Sequence, residues 1–138
     1  MDGRVIGEIG RGIVLLLGVA RGDSLDDLEY LADKVINLRI FEDDHGKMNL
    51  SLVDISGEVL VISQFTLLAD LRKGRHPGFE LAEDPNIAAG LYNRLIENLK
   101  GKGLRVADGS FGANMLVRID NDGPVTFILD SREKKAKT

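Results

Sequence analysis

The run Ile13-Val14-Leu15-Leu16-Leu17-Gly18-Val19 carries no polar side chain, and it constrains the fold more than any other stretch of the chain. It is far short of the ~20 apolar residues needed to cross a bilayer. Glycine turns bound it, Gly10-Arg11-Gly12 before and Arg21-Gly22 after. A short unbroken apolar run between turn signals reads as a strand covered on both faces, so other elements must pack on it.

The flanking segments supply those elements. Val5 to Ile9 reads as a short strand. After Asp23 or Ser24, either of which can cap a helix, Leu25, Leu28, Leu31, Ala32, Val35, Ile36 and Leu38 recur at helical spacing. Asp26 and Asp27 sit in the first turn, where a helix dipole favours negative charge. Ile40-Phe41 leads into the turn Glu42 to Gly46, followed by strand-like Met48 to Ile55 and a long strand from Glu58 to about Leu67. A second helix is expected from Asp84 or Pro85 to Lys100, with Ile87, Leu91, Leu95, Ile96 and Leu99 on one face and Gly101 and Gly103 ending it. Leu104 to Ala107, Met115 to Ile119 and Val125 to Leu129 read as further strands. Sixteen glycines against three prolines fit many tight turns. Two helices among many strands predict an α+β domain over residues 1–130 with a curved or barrel-like, mainly antiparallel sheet, and a frayed polar basic tail over 131–138.

Composition removes several function classes. At 138 residues the chain suits one domain with a real core. It has no cysteine, which excludes disulfides, thiolate nucleophiles and cysteine-based zinc sites and fits a reducing cytoplasm. The two histidines, His45 and His76, are far apart and in no HExxH spacing, so no metal-ligand set is legible. Asp26-Asp27 and Asp43-Asp44 read as a helix start and a solvated turn. The net charge of −4 argues against general polyanion binding, yet Arg72-Lys73-Gly74-Arg75-His76 is a local basic cluster. Such a cluster is either a solvated loop or a phosphate contact. The glycine-rich stretches Gly7 to Gly12 and Gly101 to Gly103 lack phosphate-loop spacing and read as turns.

Two segments carry the chemistry. Ser63-Gln64-Phe65-Thr66-Leu67 offers two hydroxyls. A nucleophilic hydroxyl needs a base within hydrogen-bond reach and a group to orient that base. Neither histidine sits in a position that suggests it, so Ser63 and Thr66 also read as ordinary strand residues. Asn121-Asp122-Gly123-Pro124-Val125-Thr126 joins the last two strand-like runs. Its Gly-Pro bond is by default a trans turn, and proline at a strand start needs no special purpose.

Taken in order, these segments resemble the D-aminoacyl-tRNA deacylase family. So do Leu38-Arg39-Ile40-Phe41-Glu42-Asp43, Gly46-Lys47-Met48-Asn49-Leu50-Ser51, Lys73-Gly74-Arg75, and Phe111-Gly112-Ala113 followed by Met115. The likeness runs over nearly the whole chain. It implies a cytoplasmic homodimer, free of cofactor and metal, that cleaves the ester joining a D-amino acid to the terminal ribose of tRNA. Clearance of glycine mischarged onto alanine tRNA is implied as well. The site is expected at the dimer interface. Gly123 and Pro124 of one subunit, joined by a cis bond, would enter the pocket of the other, and their carbonyls would hold the substrate's α-ammonium. An L side chain would collide with that backbone, a D side chain would point outward, and glycine could not be rejected: specificity by exclusion.

The resemblance further implies that Ser63, Gln64, Phe65 and Thr66 line the catalytic pocket. Backbone N–H groups near Phe65 and Thr66 are expected to face the developing oxyanion. Water, assisted by the tRNA's 2′-hydroxyl, is the expected nucleophile, with Thr66 and Ser63 as alternatives. Phe111 and Met115 are expected to wall the adenosine or aminoacyl pocket or to serve the core. Lys73, Arg75 and His76 are expected on the acceptor stem. The chain departs from the family pattern at Leu68 (often tyrosine), at His76 and Gly78 (usually arginine and serine) and at Asn114 (often aspartate). Asp2-Gly3 is a hairpin signal with no strand before it, where the family carries one with a pocket-supporting Gln-Arg pair. The expectation is a start placed too late, Met1 standing where a valine (GTG) codon continued that strand. The competing readings are a small-molecule esterase or amidohydrolase acting through Ser63 or Thr66, and a non-catalytic tRNA-binding module.

Overall fold

The computed structural model describes residues 3–136. Its elements run β1 (Gly12–Leu17), α1 (Leu25–Asn37), β2 (Phe41–Glu42), β3 (Met48–Leu50), β4 (Glu58–Ser63), a 3-10 turn (Phe65–Leu68), α2 (Pro85–Gly101), β5 (Arg105–Asp108) and a short α3 (Glu133–Ala136). The class is α+β, as the segment pattern predicts.

The main sheet differs from the expectation in direction. Its order is β1-β4-β5, and both pairings are parallel, Gly12–Leu17 on Glu58–Ser63 and Glu58–Val61 on Arg105–Asp108. The cause lies in the connections. A helix follows β1 and another follows β4, and a helical crossover returns the chain to the end of the sheet where the previous strand began. Among the described strands only β2 and β3 pair antiparallel, around a turn in which Gly46 takes φ 72°. Asp43 accepts from the His45 and Lys47 N–H groups at 2.8 and 3.1 Å in that turn. Among the described residues the sheets are open, and no barrel closes.

Other expected strands are shorter or unpaired. The strand expected to reach Ile55 stops at Leu50, because Ser51 and Asp54 bond each other's backbone N–H and turn the chain. The strand expected to reach Leu67 stops at Ser63. Gln64 N–H donates to Leu17 O at 2.7 Å as the last rung, and β1 ends there. With no partner left, the chain closes i→i+3 bonds instead. It also passes tightly over Gly18, where an added Cβ would lie 2.5 Å from Leu68 Cδ2. Segments 5–9, 115–119 and 125–129 form no ladder. The hairpin read at Asp2-Gly3 involves Asp2, outside the described residues. Where the sequence suggests a frayed tail, Ser131 is buried and α3 follows.

The helices follow their local signals. Ser24 caps α1, and its N–H donates to Asp27 Oδ2 at 2.9 Å. Asp84 caps α2 by accepting the Asn86 N–H at 2.9 Å, with Pro85 in the first turn. Both helices cover one face of the sheet. Leu28, Ala32, Val35 and Ile36 of α1 and Tyr92, Leu95, Ile96 and Leu99 of α2 close over Val59 and Val61 of β4. Each large aliphatic side chain fully removed from water contributes roughly 1.5–3 kcal/mol. At the opposite end of the strands Glu58 ties all three together. It accepts from Gly10 N–H at 2.6 Å and from Arg105 Nη1 at 2.7 Å, and these bonds, the backbone one first, hold its carboxyl below the usual range. No helix among the described residues is long and apolar enough to cross a membrane.

Candidate active site

Parallel strands end together, so the loops leaving them converge on one edge of the sheet. Residues that follow β1 (Val19, Arg21), β4 (Gln64, Phe65) and β5 (Phe111 to Met115) line a cleft of about 660 Å³ there. The remaining wall comes from Phe79 and from Ala82 to Pro85, ahead of α2.

Ser63 and Gln64 are half-buried, while Phe65 and Thr66 are exposed. The Thr66 hydroxyl accepts a short hydrogen bond from the Gln64 side-chain amide. An amide is no base, and His45 and His76 are both exposed on turns that do not line the cleft. Among the described residues no histidine or carboxylate is hydrogen-bonded to either hydroxyl, so neither has the partner that nucleophilic attack requires. Phe65 and Thr66 open the 3-10 turn, so their N–H groups precede the first intrahelical donor, Leu67 N–H to Gln64 O.

Phe111 and Met115 both line the cleft, and Phe111 also packs on the core. Its ring lies 5.7 Å from that of Tyr92, whose hydroxyl donates to Val61 O at 3.0 Å. Burial, then the nearby Asp108, pushes the Tyr92 phenol up. Met115 Sδ accepts from Ser110 N–H at 3.3 Å and lies over Gly109, where an added Cβ would come within 2.6 Å of the sulfur. Glycine at 109 thus lets the methionine fold back onto the sheet edge.

Gly123 and Pro124 are joined by a cis peptide bond, and Gly123 takes φ 137°. Both are exposed, and neither lines the chain's own cleft. Asn121 clamps this turn. Its Oδ1 accepts from Val125 N–H at 2.8 Å and its Nδ2 donates to Thr126 Oγ1 at 2.9 Å. That role is absent from the sequence reading, although the Asn-to-Val spacing in the motif signals it.

Lys73, Arg75 and His76 occupy an exposed loop closed by reciprocal bonds between Asp70 and Gly78 at 2.7 and 2.9 Å. Arg72 is drawn away from the cluster by a 2.9 Å ion pair with Asp70. That guanidinium and the Arg72 N–H hold the Asp70 carboxyl down at about 2. Phe79, just past the loop, is a second residue the sequence reading missed. Its ring lies 5.0 Å from that of Phe65 at 60°. Among the described residues no group of three or more His, Asp or Glu side chains converges as a metal-ligand set.

The family profile described as D-Tyr-tRNA(Tyr) deacylase matches residues 1–130. The chain is 52% identical over 133 residues to a D-aminoacyl-tRNA deacylase of Fervidobacterium nodosum, covering 96% of this chain and 89% of that one. It is 58% identical over 134 residues to one from Dehalococcoides mccartyi, covering 97% and 88%. Among solved structures, one described as c-Myc DNA Unwinding Element Binding Protein superposes with a TM-score of 0.82 at 46% identity, covering 88% of this chain and 83% of that one. A probable eukaryotic D-amino acid tRNA deacylase superposes at 0.63 with 19% identity and 77% coverage of each, a likeness of fold.

Proposed function

Because the chain belongs to the D-Tyr-tRNA(Tyr) deacylase family, we propose that it hydrolyses the ester between a D-amino acid and the terminal ribose of tRNA, and clears glycine from alanine tRNA, in the cytoplasm. The observation that carries the mechanism is the absence of a base beside the hydroxyls of Ser63 and Thr66, in a cleft whose motif otherwise matches the family. Water is the nucleophile, assisted by the tRNA's own 2′-hydroxyl. The N–H groups of Phe65 and Thr66 stabilise the oxyanion, and Gln64 orients Thr66. Phe111 and Met115 wall the adenosine.

A second copy completes the site. Gly123 and Pro124 stand clear of their own cleft, so they serve a neighbour's, where their carbonyls take the α-ammonium and their backbone excludes an L side chain. The exposed apolar residues Leu116, Phe127 and Ile128 flank this turn and suit the interface between the copies. Lys73, Arg75 and His76 meet the acceptor stem.

The test is deacylation of D-tyrosyl-tRNA against L-tyrosyl-tRNA by the wild type, Ser63→Ala and Thr66→Ala. Hydrolysis of D but not L, with Thr66→Ala keeping at least a tenth of the rate, is expected. Abolished activity in an alanine variant, with an acyl-enzyme trapped on the wild type, would favour the covalent esterase. Binding of tRNA without turnover would favour a nucleic-acid-binding module, a reading that the name of the 46%-identical structure keeps in view.

A further inference from the structure

Among the described residues lining the cleft, Arg21 is the only cation. It follows β1 on the turn that ends in Gly22, and its side chain is exposed. Four bonds fasten this turn to the segment ahead of α2. Arg21 N–H donates to Leu81 O at 2.9 Å and Glu83 N–H to Val19 O at 3.0 Å. Gly22 N–H donates to Glu83 Oε2 at 3.0 Å, and Arg21 Nε donates to Glu80 O. The Nε bond fixes the plane of the guanidinium and leaves the two terminal amino groups as a fork.

The surrounding charge is negative. Glu83 and Asp84 share the rim, but their carboxylates are engaged, Glu83 by the Gly22 and Asp84 N–H groups and Asp84 by the Asn86 N–H. The backbone bonds first, and Arg21 after them, hold the Glu83 carboxyl below its usual range. A polyanion crossing this rim therefore meets one attractive point. Arg21 is bonded to Glu80, the residue next to Phe79, and shares the cleft lining with Phe65 and Phe79, whose rings pair and which are 59% and 37% exposed as residues. A guanidinium beside exposed aromatic rings at a cleft mouth is what a single-stranded nucleotide end recognises: phosphate on the fork, base against a ring.

We propose that Arg21 binds the phosphodiester immediately 5′ of the terminal nucleoside of the substrate. This rests on the aminoacyl-tRNA reading of the cleft. With the aminoacyl nucleoside inside, that phosphate is the first group to emerge, and the pre-oriented guanidinium holds it at the cleft mouth.

The experiment compares D-tyrosyl-tRNA with D-tyrosyl-adenosine, the same ester without any phosphate, for wild type, Arg21→Gln and Arg21→Lys. Arg21→Gln is expected to raise KM for the tRNA about tenfold, in line with loss of a charged hydrogen bond, and to leave kcat unchanged. Its kcat/KM on D-tyrosyl-adenosine stays within twofold of the wild type. The slope of log KM against log salt falls by about 0.7, one single-strand phosphate contact. Arg21→Lys keeps that slope. Equal losses on both substrates would overturn the inference, since Arg21 would then only brace the turn. An unchanged tRNA KM and salt slope would also overturn it, while leaving the deacylase reading intact. A wild type that hydrolyses neither ester would overturn both.

Discussion

Val61 and Ile128 are both β-branched residues in apolar runs near a sheet, yet Val61 is 0% exposed and Ile128 is 89% exposed. Val61 lies in β4, hydrogen-bonded to β1 and β5 on its two sides and covered by α1 and α2. Ile128 lies in a segment with no ladder partner among the described residues. From Phe111 to Arg118 burial alternates residue by residue, as in a strand that faces a core on one side only, although no strand forms. Local pattern shapes a segment, but a strand exists only where a second backbone meets it. The half of the molecule that finds partners within the chain becomes the scaffold of the cleft. The half that does not carries Gly123-Pro124 and offers apolar surface outward.

This contrast can be broken by experiment. Leu99→Ala, in the closed half, is expected to cost about 3 kcal/mol of stability, and Ile128→Ala less than about 0.5 kcal/mol in dilute monomer, both from urea midpoints. Equal losses would mean that 125–129 is packed within one chain. If the proposed dimer forms, the double variant Leu116→Asp, Ile128→Asp is expected to keep its far-UV circular dichroism, to sediment as monomer while the wild type sediments as dimer, and to lose at least about tenfold in kcat/KM. Unchanged sedimentation would return the segment to solvent. Gly123→Ala sharpens the comparison at the turn. At φ 137° the new Cβ would lie 2.7 Å from Val125 Cγ2. Strain of about 1–3 kcal/mol falls on an exposed turn, so D-tyrosyl-tRNA turnover drops more than the melting temperature does. The smallest effect concerns the basic loop. The Asp70 carboxyl is held at about 2 in the folded chain, below its unfolded value. Its contribution to loop 70–78 is therefore complete above about pH 4 and fades as pH falls through about 2. Carboxyl NMR titration should show that midpoint, and Arg72→Gln should raise it toward the ordinary aspartate value.

Much of the scaffold was legible. Ser24 and Asp84 announce the helix starts, and the spacing of Leu28, Ala32, Val35, Leu95 and Leu99 marks the faces that became the core. The site was legible only as motifs. Ser63, Gln64, Phe65, Phe111 and Met115 line one cleft and Thr66 does not, while Arg21 and Phe79 join them without any motif of their own. Lone residues reach a cleft through loops, and no periodicity announces that.

Helices, caps and the runs able to become strands were determined by the sequence itself, because they depend on neighbours within about four residues. Tertiary structure alone decided that β1, β4 and β5 run parallel, that the chain leaves β4 after Ser63, and that Gly123-Pro124 stands outside its own cleft. Each depends on which distant backbone arrives alongside, and a hydrogen-bond ladder forms only between two chain segments that are both present.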